Sequence, residues 1–195
     1  MSQLLYALML PSGNDAAFCL AEFFGEMLYN DKYYDCEQVI TQYSPLCGFT
    51  TITGSFQFED TSVKYFLREM NANATKLKMF SSNFDSPHGL MNRFNYSTAY
   101  DVCLLTQRCM QLPRFCEVVK TRVYTTFPKN RSVNPYIWEN TNKLLGTVEG
   151  FVGCKTGVTD SAGPCFSGCF EQGDERLCIV VLNSKTMDHR WVEVP

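Results

Sequence analysis

The sequence lacks several features that would place it in a specialised class of protein. No apolar run approaches the roughly 20 residues that a helix needs to cross a bilayer. Its basic residues are scattered and the formal net charge is only −3, so no basic patch indicates a nucleic-acid partner. There is no internal repeat and no low-complexity tract. What is left is a globular domain, and a hydrophobic fraction of 45% is enough to build its core.

The first residues also lack the features of a secretory signal peptide. The stretch "MSQLLYALMLPSGNDAAF" is apolar, but it has neither a basic start nor a small-residue cleavage site. We therefore interpret it as an amphipathic helix that leads into a polar turn, and we expect Met1 to lie inside a domain. The cellular location stays undetermined from the sequence.

Cysteine, in contrast, is abundant, with ten in 195 residues. Only Cys165 and Cys169 are closely spaced and no Cys-x-x-Cys pair occurs, so a zinc site is a weak interpretation and we predict neither metal nor cofactor. Cys19, Cys103 and Cys178 occupy positions that we expect to face a core, where cysteine acts as a small hydrophobe. Buried thiols are favoured over a disulfide framework, which is typical of smaller secreted domains.

Helices dominate the first part of the predicted structure. A short helix over residues 3–10 ends at the Pro and Gly of residues 11–14, and a second helix begins at Asp15. Residues 61–77 have helical periodicity again. Ser97 or Thr98 should then cap a helix that runs through Met110.

The amino-acid composition of residues 30–59 differs from that of these helices. The segment is rich in Tyr and Thr, contains Pro45, Gly48 and Gly54, and shows no helical period. We interpret it as an insertion that contains a hairpin.

The second half of the chain has the pattern of an antiparallel sheet. Its last two strands are joined by the turn "EQGDER". The segment "NPYIWENTNKLLG" is interpreted as a loop with a short turn, and a helix is expected to start at Met187. The predicted strands are residues 118–124, 151–156, 163–170 and 177–183.

One polar cluster lies on the turn between the first two helices. Ser12, Gly13 and Asn14 place a hydroxyl and an amide two residues apart. Such groups hold a peptide backbone, and the Ser12 hydroxyl can pass a proton to a leaving amine.

A second polar cluster lies on a predicted strand. Lys155 and Thr156 offer donors to a carboxylate, and Gly157 lets a substrate backbone lie close to the strand because it has no side chain. The two clusters make chemical sense together if the fold brings them face to face.

These clusters, in this order, resemble two motifs of the serine-type D-alanyl-D-alanine carboxypeptidases, the low-molecular-weight penicillin-binding proteins of the DacA kind. That family carries Ser-x-x-Lys, Ser-x-Asn and Lys-Thr-Gly. The resemblance runs from Ser2 to about Arg190, apart from residues 30–59. It rests on three stretches, "LLYALMLPSGNDAAFCLAE", "NFDSPHGLMNRFNYSTAYDVCLL" and "WENTNKLLGTVEGFVGCKTGVTDSAGPCF".

The resemblance implies a mixed α+β fold of the β-lactamase/transpeptidase-like type, a helical cluster packed on an antiparallel sheet. Residues 1–195 would form one partial domain, incomplete at both ends. The implied activity is hydrolysis of the terminal D-alanine from peptidoglycan-like peptides, with penicillin-type inhibitors as further ligands, outside the cytoplasmic membrane. The implied catalytic residues are Ser12, Asn14 and Lys155, and the implied substrate-binding residues are Thr156 and Gly157.

The chain departs from the family in one respect that bears on catalysis. None of its serines is followed by lysine three positions later, and acyl transfer needs an activated nucleophile. Two interpretations therefore stay open: part of a carboxypeptidase whose nucleophile lies elsewhere, or a catalytically inactive remnant with a binding or structural role. A β-lactamase is a lesser alternative.

A cysteine enzyme that uses Cys154 and His88 is a further alternative. The alternation of side chains along a strand should direct Cys154 away from the cleft that Lys155 faces. The Pro-His-Gly-Leu stretch around His88 also resembles a structural loop of the carboxypeptidase family, which favours a structural role for this histidine.

Overall fold

Helices come first along the chain and strands follow. The computed structural model describes residues 2–43, 58–90, 93–127 and 134–194, with side chains left out for 32–43 and 58–61. The helices are α1 (Ser2–Met9), α2 (Asn14–Tyr43), α3 (Phe58–Lys76), α4 (Ala99–Cys109) and α5 (Pro113–Lys120), and a 3₁₀ turn covers His189–Trp191. The strands are β1 (Val123–Thr126), β2 (Tyr136–Glu139), β3 (Phe151–Thr159), β4 (Gly163–Gln172) and β5 (Glu175–Val181).

The three predicted C-terminal strands are confirmed as one antiparallel sheet. Its order is β3-β4-β5, and β1 pairs with β2 in a separate two-stranded sheet. Gln172 pairs with Glu175 across a two-residue turn whose first residue, Gly173, has a φ of 59°. A two-residue hairpin with a positive φ at its first central position takes glycine there, because a side chain would strain the backbone.

The larger sheet carries a core on each face. On one face, Phe166 and Phe151 are buried with Leu144 and Val194. On the other face, the residues buried together are Met110, Val119, Cys154 and Cys169. Helix α5 lies close to β3 there, since a Cβ added to Gly153 would meet Val119 Cγ2 at 2.8 Å.

Helices α2 and α3 pack against each other with a close approach. A Cβ on Gly25 of α2 would lie 1.9 Å from the backbone oxygen of Ser62 in α3. In the first turns of α2, the buried residues are Ala16, Ala17, Leu20 and Ala21. The predicted cap of α4 is also confirmed, because the Asp101 backbone N–H donates to Thr98 Oγ1 at 3.2 Å.

Several expectations about individual segments are wrong. Residues 30–43 are not a hairpin but the continuation of α2, and residues 44–57 lie outside the described residues. The strand expected over residues 118–124 is instead the end of α5 followed by β1, and part of the expected loop at 134–146 is strand β2. Tertiary packing overrides local preference in these places.

The cysteines divide between core and surface. Cys103 and Cys178 are partly buried as expected, but Cys19 lies on the exposed side of α2, so its predicted core position is wrong. All eight cysteines whose side chains the structure describes are free thiols. Within the described residues, no helix is long and apolar enough to cross a membrane.

Candidate active site

The turn between α1 and α2 presents the first polar cluster. Ser12 has a φ of 62°, an unusual conformation for a residue with a side chain. Gly13 fits tightly against α1: its N–H donates to the Ala7 oxygen at 3.0 Å, and an added Cβ would lie 2.7 Å from that oxygen. Asn14 is exposed as the first residue of α2. The turn therefore holds the Ser12 hydroxyl outward in a defined direction.

The second cluster lies on β3 and meets the first. Lys155 Nζ donates to Ser12 Oγ, a side-chain contact that joins residues 143 positions apart, and also to the Thr156 backbone oxygen at 2.9 Å. The structure thus brings together the two clusters that sequence analysis expected to face each other.

The charge of Lys155 is disfavoured by its surroundings. Burial, together with repulsion from the Arg190 guanidinium, lowers the pKa of Lys155 to about 8. Near neutral pH the ammonium therefore dominates, yet a proton leaves it far more easily than from an exposed lysine. A lysine in this state, hydrogen-bonded to a hydroxyl, can relay a proton through that hydroxyl.

Thr156 is held from the side by a loop residue. Its buried Oγ1 lies 2.5 Å from Thr141 Oγ1. The Thr141 N–H donates to the Leu10 oxygen at 3.3 Å, at the end of α1. Thr141 therefore connects the two motif-bearing elements, and no sequence signal pointed to it beyond its place in the "NTNKLLG" lead-in.

Gly157 leaves open space beside the strand. A Cβ built on Gly157 would meet no atom within 4 Å, and β3 is an edge strand of the three-stranded sheet in the part of the chain described. An extended peptide can approach such an edge closely and add to the sheet through backbone hydrogen bonds.

Arg190 is a site residue that sequence analysis missed. It is only 4% exposed, and its Nη1 donates to the backbone oxygens of Cys165 at 3.1 Å and Gly157 at 3.4 Å. Its guanidinium also lies 4.5 Å from the centre of the Trp191 ring. The sequence does not indicate this position, because Arg190 belongs to no motif and only the folding of the chain brings it next to β3.

The cleft is cationic. Lys155 and Arg190 both lie at β3, and neither takes part in the ion pairs found among the described residues. The Ser12 hydroxyl contacts Lys155, and Thr156 is the next residue of the same strand. This arrangement suits a ligand that carries a carboxylate on an extended backbone.

The cysteine-enzyme alternative is not supported by the geometry. Cys154 is buried with its Sγ 3.5 Å from Met110 Sδ, and burial raises the pKa of this thiol well above its usual range. His88 instead accepts a hydrogen bond at Nδ1 from the Leu90 N–H at 3.0 Å and lies edge-on to Phe18. Among the described residues, no group of three or more His, Cys, Asp or Glu side chains is arranged to hold a metal ion.

Comparison with known proteins identifies a family and several relatives that this chain resembles. A profile of a family described as D-alanyl-D-alanine carboxypeptidase matches residues 57–186. The D-alanyl-D-alanine carboxypeptidase of Streptomyces sp. (strain K15) is 35% identical over 191 residues, which are 96% of this chain and 56% of that protein. DacF of Bacillus subtilis is 25% identical over the whole chain and 40% of its own length. The chain thus spans about half the length of the curated relatives it matches.

Solved structures agree with the sequence matches. The crystal structure of the Streptomyces K15 DD-transpeptidase is similar over 98% of this chain and 63% of its own, with a TM-score of 0.76 and 32% identity. Penicillin-binding protein D2 of Listeria monocytogenes, solved in a cefotaxime-bound form, is similar over 98% of this chain and 62% of its own, with a TM-score of 0.68 and 29% identity. These likenesses confirm the predicted fold class, a mixed fold with helices packed on an antiparallel sheet.

Proposed function

This chain belongs to the D-alanyl-D-alanine carboxypeptidase family, and we propose that its cleft binds the carboxyl-terminal end of peptides that finish in D-Ala-D-Ala. The contact between Lys155 and Ser12 carries the proposal, because it assembles a cation and two hydroxyls beside an open strand edge. Lys155 and Thr156 donate to the terminal carboxylate. The peptide backbone lies along Gly157.

The same groups have a role in peptide hydrolysis. When the bond between the two D-alanines breaks, the departing nitrogen needs a proton. The Ser12 hydroxyl delivers it and is reprotonated by Lys155, whose lowered pKa of about 8 makes this transfer easy. Asn14 holds the peptide amide from the opposite side of the turn.

The nucleophile that attacks the substrate in the family's reaction is not among the residues that we assign here. No serine among the 195 residues is followed by lysine three positions on, so we assign to this chain the binding and proton-transfer groups only. The proposed role is that of the substrate-binding and proton-transfer part of a serine-type D-Ala-D-Ala carboxypeptidase of peptidoglycan, with penicillins as competing ligands.

A peptide-binding measurement tests the assignment directly. The 195-residue chain is titrated with diacetyl-L-lysyl-D-alanyl-D-alanine by NMR, and we expect a dissociation constant on the order of 1 mM, since water competes for every bond in an open cleft. The same peptide as its C-terminal amide should bind at least several-fold more weakly. Equal binding of acid and amide would overturn the proposal.

Two lysine variants supply the matched control. Lys155→Met should abolish measurable binding, because it removes the ammonium from the cleft. Lys143→Met removes an exposed lysine whose Nζ lies 3.4 Å from Asp188 Oδ1 and should leave binding unchanged. Loss of binding in both variants would point to non-specific attraction between peptide and protein.

The second candidate function is a binding or structural role without catalysis, and the absence of Ser-x-x-Lys favours it. Covalent labelling by a penicillin distinguishes the two candidate functions. We expect no denaturation-resistant adduct between the 195-residue chain and a fluorescent penicillin, because no activated serine is available. An adduct would contradict this reasoning. Sequencing the transcript upstream of Met1 then decides whether a Ser-x-x-Lys segment accompanies the cleft.

A further inference from the structure

We propose that Cys169 and Cys178 form a modification site, a dithiol pair that low-molecular-weight disulfides convert into a cross-strand disulfide. The two residues are direct partners on the antiparallel strands β4 and β5, and their sulfur atoms lie 3.4 Å apart. This site is separate from the cleft and does not depend on the proposed function.

The backbone register places the pair where a disulfide fits. The two-residue turn at Gly173 makes Gln172 and Glu175 the closing, hydrogen-bonded pair of the hairpin. Hydrogen-bonded and non-hydrogen-bonded pairs alternate along the ladder, so Cys169 and Cys178, three pairs further on, form a non-hydrogen-bonded pair. Such pairs have Cα atoms about 4.5 Å apart, which is within the range that a disulfide spans.

The neighbouring thiols have other partners and positions. Cys154 contacts Met110 Sδ at 3.5 Å, Cys116 contacts the Met110 backbone oxygen at 3.1 Å, and Cys103 contacts the Cys178 backbone oxygen at 3.7 Å. In the strand pairings of β3, β4 and β5, no other two cysteines are direct partners. Disulfide formation should therefore be selective for this pair.

The two thiols have different parts in the reaction. Cys169 is fully buried, and burial together with its hydrogen bond to Cys178 raises the pKa of its thiol to about 12. Cys178, which is partly exposed, is the thiol that the oxidant can reach. It attacks one sulfur of the small disulfide, forms a mixed disulfide and releases one small thiol.

The second step closes the protein disulfide. Cys169 loses its proton and attacks the Cys178 sulfur of the mixed disulfide, which releases the second small thiol. Two protein thiols are oxidised and one small disulfide is reduced to two thiols, so atoms and electrons balance. The product ties β5 to β4, the strand whose Ser167 pairs with Lys155 in β3.

Peptide mapping of the oxidised protein tests the proposal. The native, reduced chain is incubated with excess oxidised glutathione, the remaining thiols are alkylated, and the chain is digested with trypsin. Cleavage after Lys155, Arg176 and Lys185 gives residues 156–176 and 177–185. We expect these two peptides to be joined, and to separate on reduction. Cys165 also lies in the first peptide, so the experiment is repeated with Cys165→Ser, in which the link should persist.

Internal and variant controls make each outcome decisive. Exposed Cys19 should form a glutathione adduct, which shows that the oxidant reacts. Cys178→Ser should lose the linked peptide, and its melting temperature should not change with oxidant, whereas that of the parent chain should rise by several degrees. The proposal is overturned if Cys19 reacts while Cys169 and Cys178 stay alkylated, if Cys178 stops at a glutathione adduct, or if Cys178 joins Cys103 instead.

Discussion

Lys155 is the residue on which the chemistry of the cleft depends, because its surroundings oppose its charge while its neighbours offer it acceptors. Burial and the Arg190 guanidinium lower its pKa to about 8, yet Nζ still donates to Ser12 and to the Thr156 backbone oxygen. A bound carboxylate would relieve this conflict by adding a negative charge beside the ammonium. The cleft is thus prepared for an anion before one binds.

The same conflict predicts how stability depends on pH. The pKa of Lys155 falls from 10.5 to about 8 on folding, so between these pH values the unfolded chain holds a proton that the folded chain has released. The free energy of unfolding therefore rises with pH across this window, by about 3 kcal/mol in total from this group. Below pH 8 both states are protonated and the full cost of burying the charge is present.

Lys155→Met isolates this contribution from that of the thiols, which ionise over the same range. Urea unfolding of parent and variant at pH 7.5 and pH 10 gives the difference directly. The variant should be more stable than the parent at pH 7.5, with the gap mostly closed at pH 10. A gap that does not change with pH would contradict the lowered pKa of Lys155.

Arg190 is the second cause, after burial, of the lowered pKa of Lys155. In Arg190→Leu the repulsion from the guanidinium is lost, so the pKa of Lys155 should rise from about 8 towards its usual value. NMR titration of the Lys155 Cε and Nζ resonances measures this shift. Arg176→Leu is the control, since Arg176 pairs with Glu171 at the sheet's surface and should leave the Lys155 titration unchanged.

Among the secondary-structure elements, the sequence predicts some correctly because local and tertiary preferences agree there. Strands β3 and β4 combine apolar residues with small ones and end at turn residues, so their positions follow from pattern. Helix α5 contains Val118 and Val119, whose branched side chains favour strands locally. In the structure both are fully buried, and this packing outweighs the small cost of branched residues in a helix.

In the helix pair α2–α3, helix propensity and packing predict opposite effects of one substitution on stability. Gly25→Ala in an exposed helix position would stabilise a protein by about 1 kcal/mol. Here the new methyl group would lie 1.9 Å from the Ser62 backbone oxygen, so we expect a loss of several kcal/mol instead. Thermal unfolding of Gly25→Ala measures the net effect, and Glu26→Ala, at an exposed position of the same helix, is a control that should change stability little because Glu and Ala both favour helices. A stabilised Gly25→Ala would mean that the helices do not approach this closely.

In the whole molecule, the site draws on residues that are far apart in the chain. Ser12 and Lys155 are recognisable from sequence because each belongs to a short motif. Arg190 and Thr141 belong to no motif, and their roles depend on where the fold returns the chain. Sequence analysis therefore finds the groups with the chemistry and misses those that position or polarise them.

Thr141 makes this dependence measurable, since it contacts both Leu10, directly after α1, and Thr156 of β3. Thr141→Val keeps the backbone hydrogen bond to Leu10 but removes the hydroxyl, which should cost about 1 kcal/mol. We expect hydrogen exchange to accelerate about five-fold both at the Gly13 amide and along β3, because the two elements lose the same link. Thr147→Val is the matched control, as its hydroxyl donates to the nearby Lys143 oxygen at 2.8 Å. Acceleration on one element alone would show that the two sides of the cleft are held independently. Thr141 would then not stabilise the contact between Ser12 and Lys155 through which the proton is proposed to pass.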